Sequence, residues 1–123
     1  MLKKMQASRA EVSVPNQMNE GTRIEGNIHC EGNIRIDGTV VGEVHAGGKV
    51  VIGPKGMVEG HIFCTQADIM GKIVGNVTVK DQTLVKASGI IEGDLSTSLL
   101  GMEEGATLNG RCRMSGPEVL KNE

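Results

Sequence analysis

The chain has 123 residues, enough for one domain with a modest core. Its single aromatic residue, Phe63, excludes a core built on rings, and 18 glycines against three prolines exclude a collagen triplet. Thirteen basic and 15 acidic residues, mixed in sign for a net charge of −2, leave no basic footprint for nucleic acid.

Residues 1–20 contain no repeat unit and carry Pro15 among polar residues, which predicts a disordered N-terminal tail. The start lacks the apolar core of a signal peptide, and no apolar run approaches the roughly 18 residues of a membrane span. Cytoplasm is therefore the expected compartment. Within the tail, residues 1–9 set Met1, Leu2 and Met5 beside Lys3, Lys4 and Arg9. Each basic residue near anionic lipid contributes about 1 kcal/mol, so one tail binds feebly and an array of tails binds by avidity. The competing reading is an ordinary flexible leader.

From residue 21 onward an apolar-x-Gly-x-apolar unit recurs. It reads "IEGNI" at Gly26, "VVGEV" at Gly42, "VEGHI" at Gly60, "IVGNV" at Gly75, "IEGDL" at Gly93 and "LNGRC" at Gly110. The intervals are 16, 18, 15, 18 and 17 residues. Between the units lie further apolar pairs, "NIRIDG", "KVVIG", "ADIMG", "QTLVK" and "TSLLGM", so each repeat reads as three short strands separated by tight corners. No 3.6-residue apolar period is sustained between Gly21 and Met114, which excludes helix there. Coils of this length stacking at about 4.8 Å predict a parallel β-helix of about six coils, a rod of roughly 25–30 Å with triangular cross-section. Residues 21–114 are assigned to it and residues 115–123, "SGPEVLKNE", to a disordered C-terminal tail.

The two-residue period sorts the side chains. Two residues past each glycine stand Ile28, Val44, Ile62, Val77, Leu95 and Cys112, predicted to point inward, and four past it stand the small Cys30, Ala46, Cys64, Val79 and Thr97. The intervening positions are polar except for Phe63, which is left as a candidate lateral contact. Cys30, Cys64 and Cys112 are too widely spaced for a zinc motif, and Cys30 and Cys64, two coils apart, are too distant for a disulfide; small core residues are the expectation. His29 and His45 share an outward column where their rings stack, and two histidines do not make a metal site. No nucleophile, base and orienter come together, and "GGKVVIGPKG" falls into the coil register rather than a phosphate loop. No catalytic residue, metal or cofactor is expected.

The ordered series of corners, with "VVIGPKGMVEGHI", "KIVGNV" and the closing "LNGRCRM", resembles the bactofilins, bacterial cytoskeletal proteins, over residues 21–114. The resemblance implies a right-handed β-helix that polymerises end to end into nonpolar filaments without nucleotide. It also implies attachment to the inner face of the cytoplasmic membrane and a scaffold role for cell-wall or cell-shape proteins. The residues alone favour polymerisation, because an uncapped solenoid exposes unpaired backbone above an apolar interior at both ends. Ile24 and Ile28 at one end, and Leu108, Cys112 and Met114 at the other, are the expected polymer contacts. Two alternatives are a left-handed β-helix acyltransferase, disfavoured because its hexapeptide rule does not permit intervals of 15 to 18, and a solenoid binding module that does not polymerise.

Overall fold

Alternating short aliphatic and polar residues, punctuated by glycine, favour strand over helix. The computed structural model describes residues 16–114, which hold eleven strands and no helix. These are β1 (Asn16–Met18), β2 (Arg23–Glu25), β3 (Ile28–Cys30), β4 (Ile34–Ile36) and β5 (Thr39–Ala46). They continue as β6 (Lys49–Ile52), β7 (Met57–Ile69), β8 (Lys72–Val85), β9 (Ile90–Thr97), β10 (Leu99–Met102) and β11 (Thr107–Met114). Every pairing is parallel and joins a segment to its counterpart one turn away, as in β5 with β7, β7 with β8 and β8 with β9. The result is a parallel β-solenoid of about six turns.

The solenoid has three faces. On the first, Ile24, Val40, Val58, Ile73, Ile91 and Leu108 stack in one inward column. The second follows the aligned glycine and stacks Ile28, Val44, Ile62, Val77, Leu95 and Cys112. The third stacks Met18, Ile36, Ile52, Ile69, Val85 and Met102. Val40, Val44, Ile52, Ile62, Ile69 and Ile91 are fully buried, so the interior is narrow and aliphatic, as the composition requires. Two hydroxyls enter it together. Thr83 donates to Thr97 at 3.0 Å and Thr97 donates to the Leu99 carbonyl at 2.9 Å, which leaves neither unsatisfied.

The glycine alignment matches the register: Gly42, Gly60, Gly75, Gly93 and Gly110 pair in succession. The expectation of separate short strands around each glycine is corrected, because the ladder runs through the corner and β7 and β8 reach 13 and 14 residues. At Gly75 the backbone adopts φ 136°, and a Cβ built there would lie 1.9 Å from the Gly60 carbonyl oxygen. Only a residue without a side chain can bend the strand there while the coils stay in hydrogen-bonding contact. Pairing also begins at β1, ahead of Gly21. That strand belongs to the third face, which carries no aligned glycine and so escaped the repeat.

Candidate assembly surfaces

The two ends of the solenoid are the first candidate surfaces. Among the described residues, β1, β2 and β3 pair only with the coil above them, and β10 and β11 only with the coil below. Each end therefore presents backbone groups that no strand satisfies. The N-terminal end is partly closed. Met18 is buried, and the Asn16 amide donates to the Cys30 sulfur at 2.8 Å and to the Asn33 carbonyl at 3.3 Å. Ile24 and Ile28 are half-buried against the core.

The C-terminal end is barer. Leu108 is half-buried, Cys112 is exposed, and Met114 is 38% exposed; Cys112 lies inward in register, yet no described coil lies above it. Sequence reasoning overlooked Leu100 and Met102, which continue the third-face columns above Thr83 and Val85. Met102 is 43% exposed, and Leu99 at the other end of β10 is 63% exposed. The "TSLLGM" pair was the available signal, had it been counted by column as the glycines were.

The outward column of the second face carries a stack of rings. His29 and His45 lie 5.6 Å apart, and His45 and Phe63 4.7 Å apart, all nearly parallel. His61 adds a side contact to Phe63 at 6.0 Å. Phe63 is thus the top of a ladder rather than an isolated apolar side chain, although 36% of it remains exposed. Glu43 accepts from or pairs with His45 at 3.0 Å, and Asn76 reaches His61 at 3.4 Å. Above Phe63 the column drops to Thr78 and Ser96, leaving a groove of about 720 Å³ with Arg111 and Arg113 at its far side.

Titratable groups are otherwise structural. Burial pushes the Cys64 thiol up to about 12, an inert core sulfur, partly offset by a backbone hydrogen bond at Val50. The hydrogen bond from Arg35 to Asp37 at 2.8 Å, then their attraction, raise the Arg35 value further. No group of three metal-ligating side chains occurs among the described residues. Met1, Leu2, Lys3, Lys4 and Met5, proposed for membrane contact, lie outside the described residues, as do residues 115–123.

Comparison with known proteins places this geometry. Residues 16–113 match the model of the family described as "Bactofilin: Polymer-forming cytoskeletal". Bactofilin BacO of Myxococcus xanthus is 26% identical over 77% of this chain and 75% of its own length. Bactofilin BacP of the same organism is 24% identical over 77% of this chain and only 40% of its own length. A solved structure titled as a reconstruction of Thermus thermophilus bactofilin double helical filaments superimposes with a TM-score of 0.74. It covers 81% of this chain and 99% of that one, at 23% identity.

Proposed function

The chain belongs to the bactofilin family of polymer-forming cytoskeletal proteins, and from that premise we propose that it stacks end to end into filaments without nucleotide. In this reading it is a structural subunit and its first partner is another copy of itself. Residues 1–9 tether the polymer to the inner face of the cytoplasmic membrane, and the rod scaffolds cell-wall or cell-shape proteins. The observation that carries the proposal is the C-terminal end, where, among the described residues, Met102 and Met114 stand uncovered above the core beside an unpaired strand edge. Stacking another copy satisfies the backbone by the same ladder that joins coils within one chain.

Leu108→Arg tests it, because Leu108 packs against the core in the last coil of the first face. A guanidinium there cannot be covered by a second subunit without losing its water. Negative-stain microscopy is expected to show filaments for the natural chain without nucleotide, and short species for the variant. The strand signal in circular dichroism should persist. Unchanged filaments in the variant would remove this end from the interface.

A further inference from the structure

Among the described residues, the second face has no floor at its N-terminal end. Ile28 and Cys30 point inward in register and are only half-buried, whereas Val44 and Ala46, directly above them, are 0% and 8% exposed. The lower edge of β3 pairs with no described strand. The chain already stands at this edge. Asn16, the first residue of β1, donates its backbone N–H to the Asn33 carbonyl at 3.2 Å and its side-chain amide to the Cys30 sulfur at 2.8 Å. The third face is therefore entered beside the corner that follows Cys30.

The solenoid's own corners fix where the preceding residues fall. At this corner three residues separate the inward positions Cys30 and Ile34, Ala46 and Val50, and Val79 and Thr83, and two separate Cys64 from Ala67 and Thr97 from Leu100. Asn16 continues the inward column of Ile34. Counted back from Asn16, a three-residue corner would put Val12 under Cys30 and Ala10 under Ile28. A two-residue corner would put Ser13 and the carboxylate of Glu11 in those inward places. Only the first keeps a charge out of the interior, and it sets Glu11 in the outward column below His29. It also leaves Pro15 in the corner, where its missing N–H costs no ladder bond. Two residues further back, in the place of the next corner glycine, stands Ser8, whose Cβ disfavours the φ of 138° that Gly26 adopts. The ladder would end at Ala10, and the underside of Gly26 stays open.

We propose that residues 10–12 form a further strand, docked in parallel beneath β3, so that the chain's own leader closes the second face at the N-terminal end. Its own leader is the occupant because Val12 needs only the three corner residues that other coils use to reach this edge. Residues 10–12 lie ahead of residues 16–113, which match the family model, so the strand is a property of this chain. One consequence rests on the assembly and tether proposed above: a stacked copy meets residues 10–12 on this face instead of β3, and the basic segment leaves the solenoid at its N-terminal rim, beside Gly26.

The test is mild oxidation of two full-length variants, Val12→Cys and Ser13→Cys, each mixed beforehand with an equal amount of the same variant carrying heavy isotopes. Linked peptides are identified by mass spectrometry, and the same samples are imaged by negative-stain microscopy. Parallel neighbours lie about 4.8 Å apart, within the reach of a disulfide. Val12→Cys is expected to link to Cys30 several-fold more than Ser13→Cys does, with both peptides carrying the same isotope. Equal linking at the two positions, a preference for Ser13→Cys, or no link at either overturns the docking, and filaments in those samples leave end-to-end assembly standing. Links that join a light to a heavy peptide overturn the assignment to the chain's own leader and give the edge to a second copy. A same-isotope Val12→Cys link in a sample without filaments supports the docked strand and refutes the end-to-end reading instead.

Discussion

Alanine in place of a corner glycine separates folding from assembly, because the cost depends on what lies beneath it. At Gly75, φ 136° imposes strain of about 1–3 kcal/mol on a residue with a Cβ. The methyl would also meet the Gly60 oxygen at 1.9 Å, so the coils must part by more than an ångström. That loosens one or two ladder hydrogen bonds at about 1 kcal/mol each. The total, about 2–5 kcal/mol, is a large share of the roughly 5–15 kcal/mol that holds a domain together. At Gly26 the angle is similar, φ 138°, but no atom lies within 4 Å of the built Cβ because no described coil stacks beneath it. Gly26→Ala therefore costs strain alone, about 1–3 kcal/mol. Its methyl projects from the N-terminal end, where a docked subunit would place backbone, whichever end that subunit presents. Thermal melts followed by circular dichroism should show Gly75→Ala lowered by roughly 10 °C or more and Gly26→Ala by less. Microscopy should show Gly26→Ala folded but without long filaments. A melt for Gly75→Ala close to that of the natural chain would refute the stacking argument. Full-length filaments from Gly26→Ala would exclude the N-terminal end as a stacked surface.

Two further outcomes follow from the core thiol and the tail. Cys64 rises from 9.0 in the unfolded chain to about 12 when buried, so between these values the native state holds a proton that the unfolded state has lost. Stability should be undiminished by this group below pH 9 and fall as pH climbs from 9 towards 12; urea titrations should show a smaller fall for Cys64→Ala. Removing residues 1–9 should abolish flotation with anionic liposomes in a density gradient while filaments persist, and flotation that survived the deletion would place membrane contact elsewhere.

How much was legible in the sequence follows from which forces repeat. The glycines could be aligned because each must face the backbone of the glycine one coil below, so their register is a steric rule written once per turn. The inward columns were legible for the same reason, since parallel stacking puts Val44 over Ile28 and Ile62 over Val44. β1 was missed because the third face has no such marker. The ring ladder was only half visible: the shared column of His29, His45 and Phe63 could be read, but the rotamers that lay Phe63 flat against His45 are set by neighbours such as Glu43 and His61. The Arg35 and Asp37 pair was likewise hidden, because Asp37 beside a glycine reads as an ordinary turn residue.

The uneven intervals between glycines, which separate this chain from a strict hexapeptide solenoid, have a local cause. Four residues link Ile52 to Met57, Val85 to Ile90 and Met102 to Thr107, closed by Gly56 to Gly53, Gly89 to Lys86 and Ala106 to Glu103 hydrogen bonds. Only two residues link Ile36 to Thr39 and Ile69 to Lys72. The long corners fall in the intervals of 18, 18 and 17 and the short ones in those of 16 and 15. Further single-residue differences lie at the next corner, where Thr65 alone separates Cys64 from Gln66 at an irregularity in the ladder. Length variation is thus confined to corners that point outward, and every face keeps its cross-section from the first described coil to the last. In the proposed stacking a second copy would consequently continue the same three-faced outline that each coil meets within the chain. Under the proposed stacking, assembly needs no new kind of contact, and that is why a single methyl at Gly26 is a sharper test than any loss of apolar area.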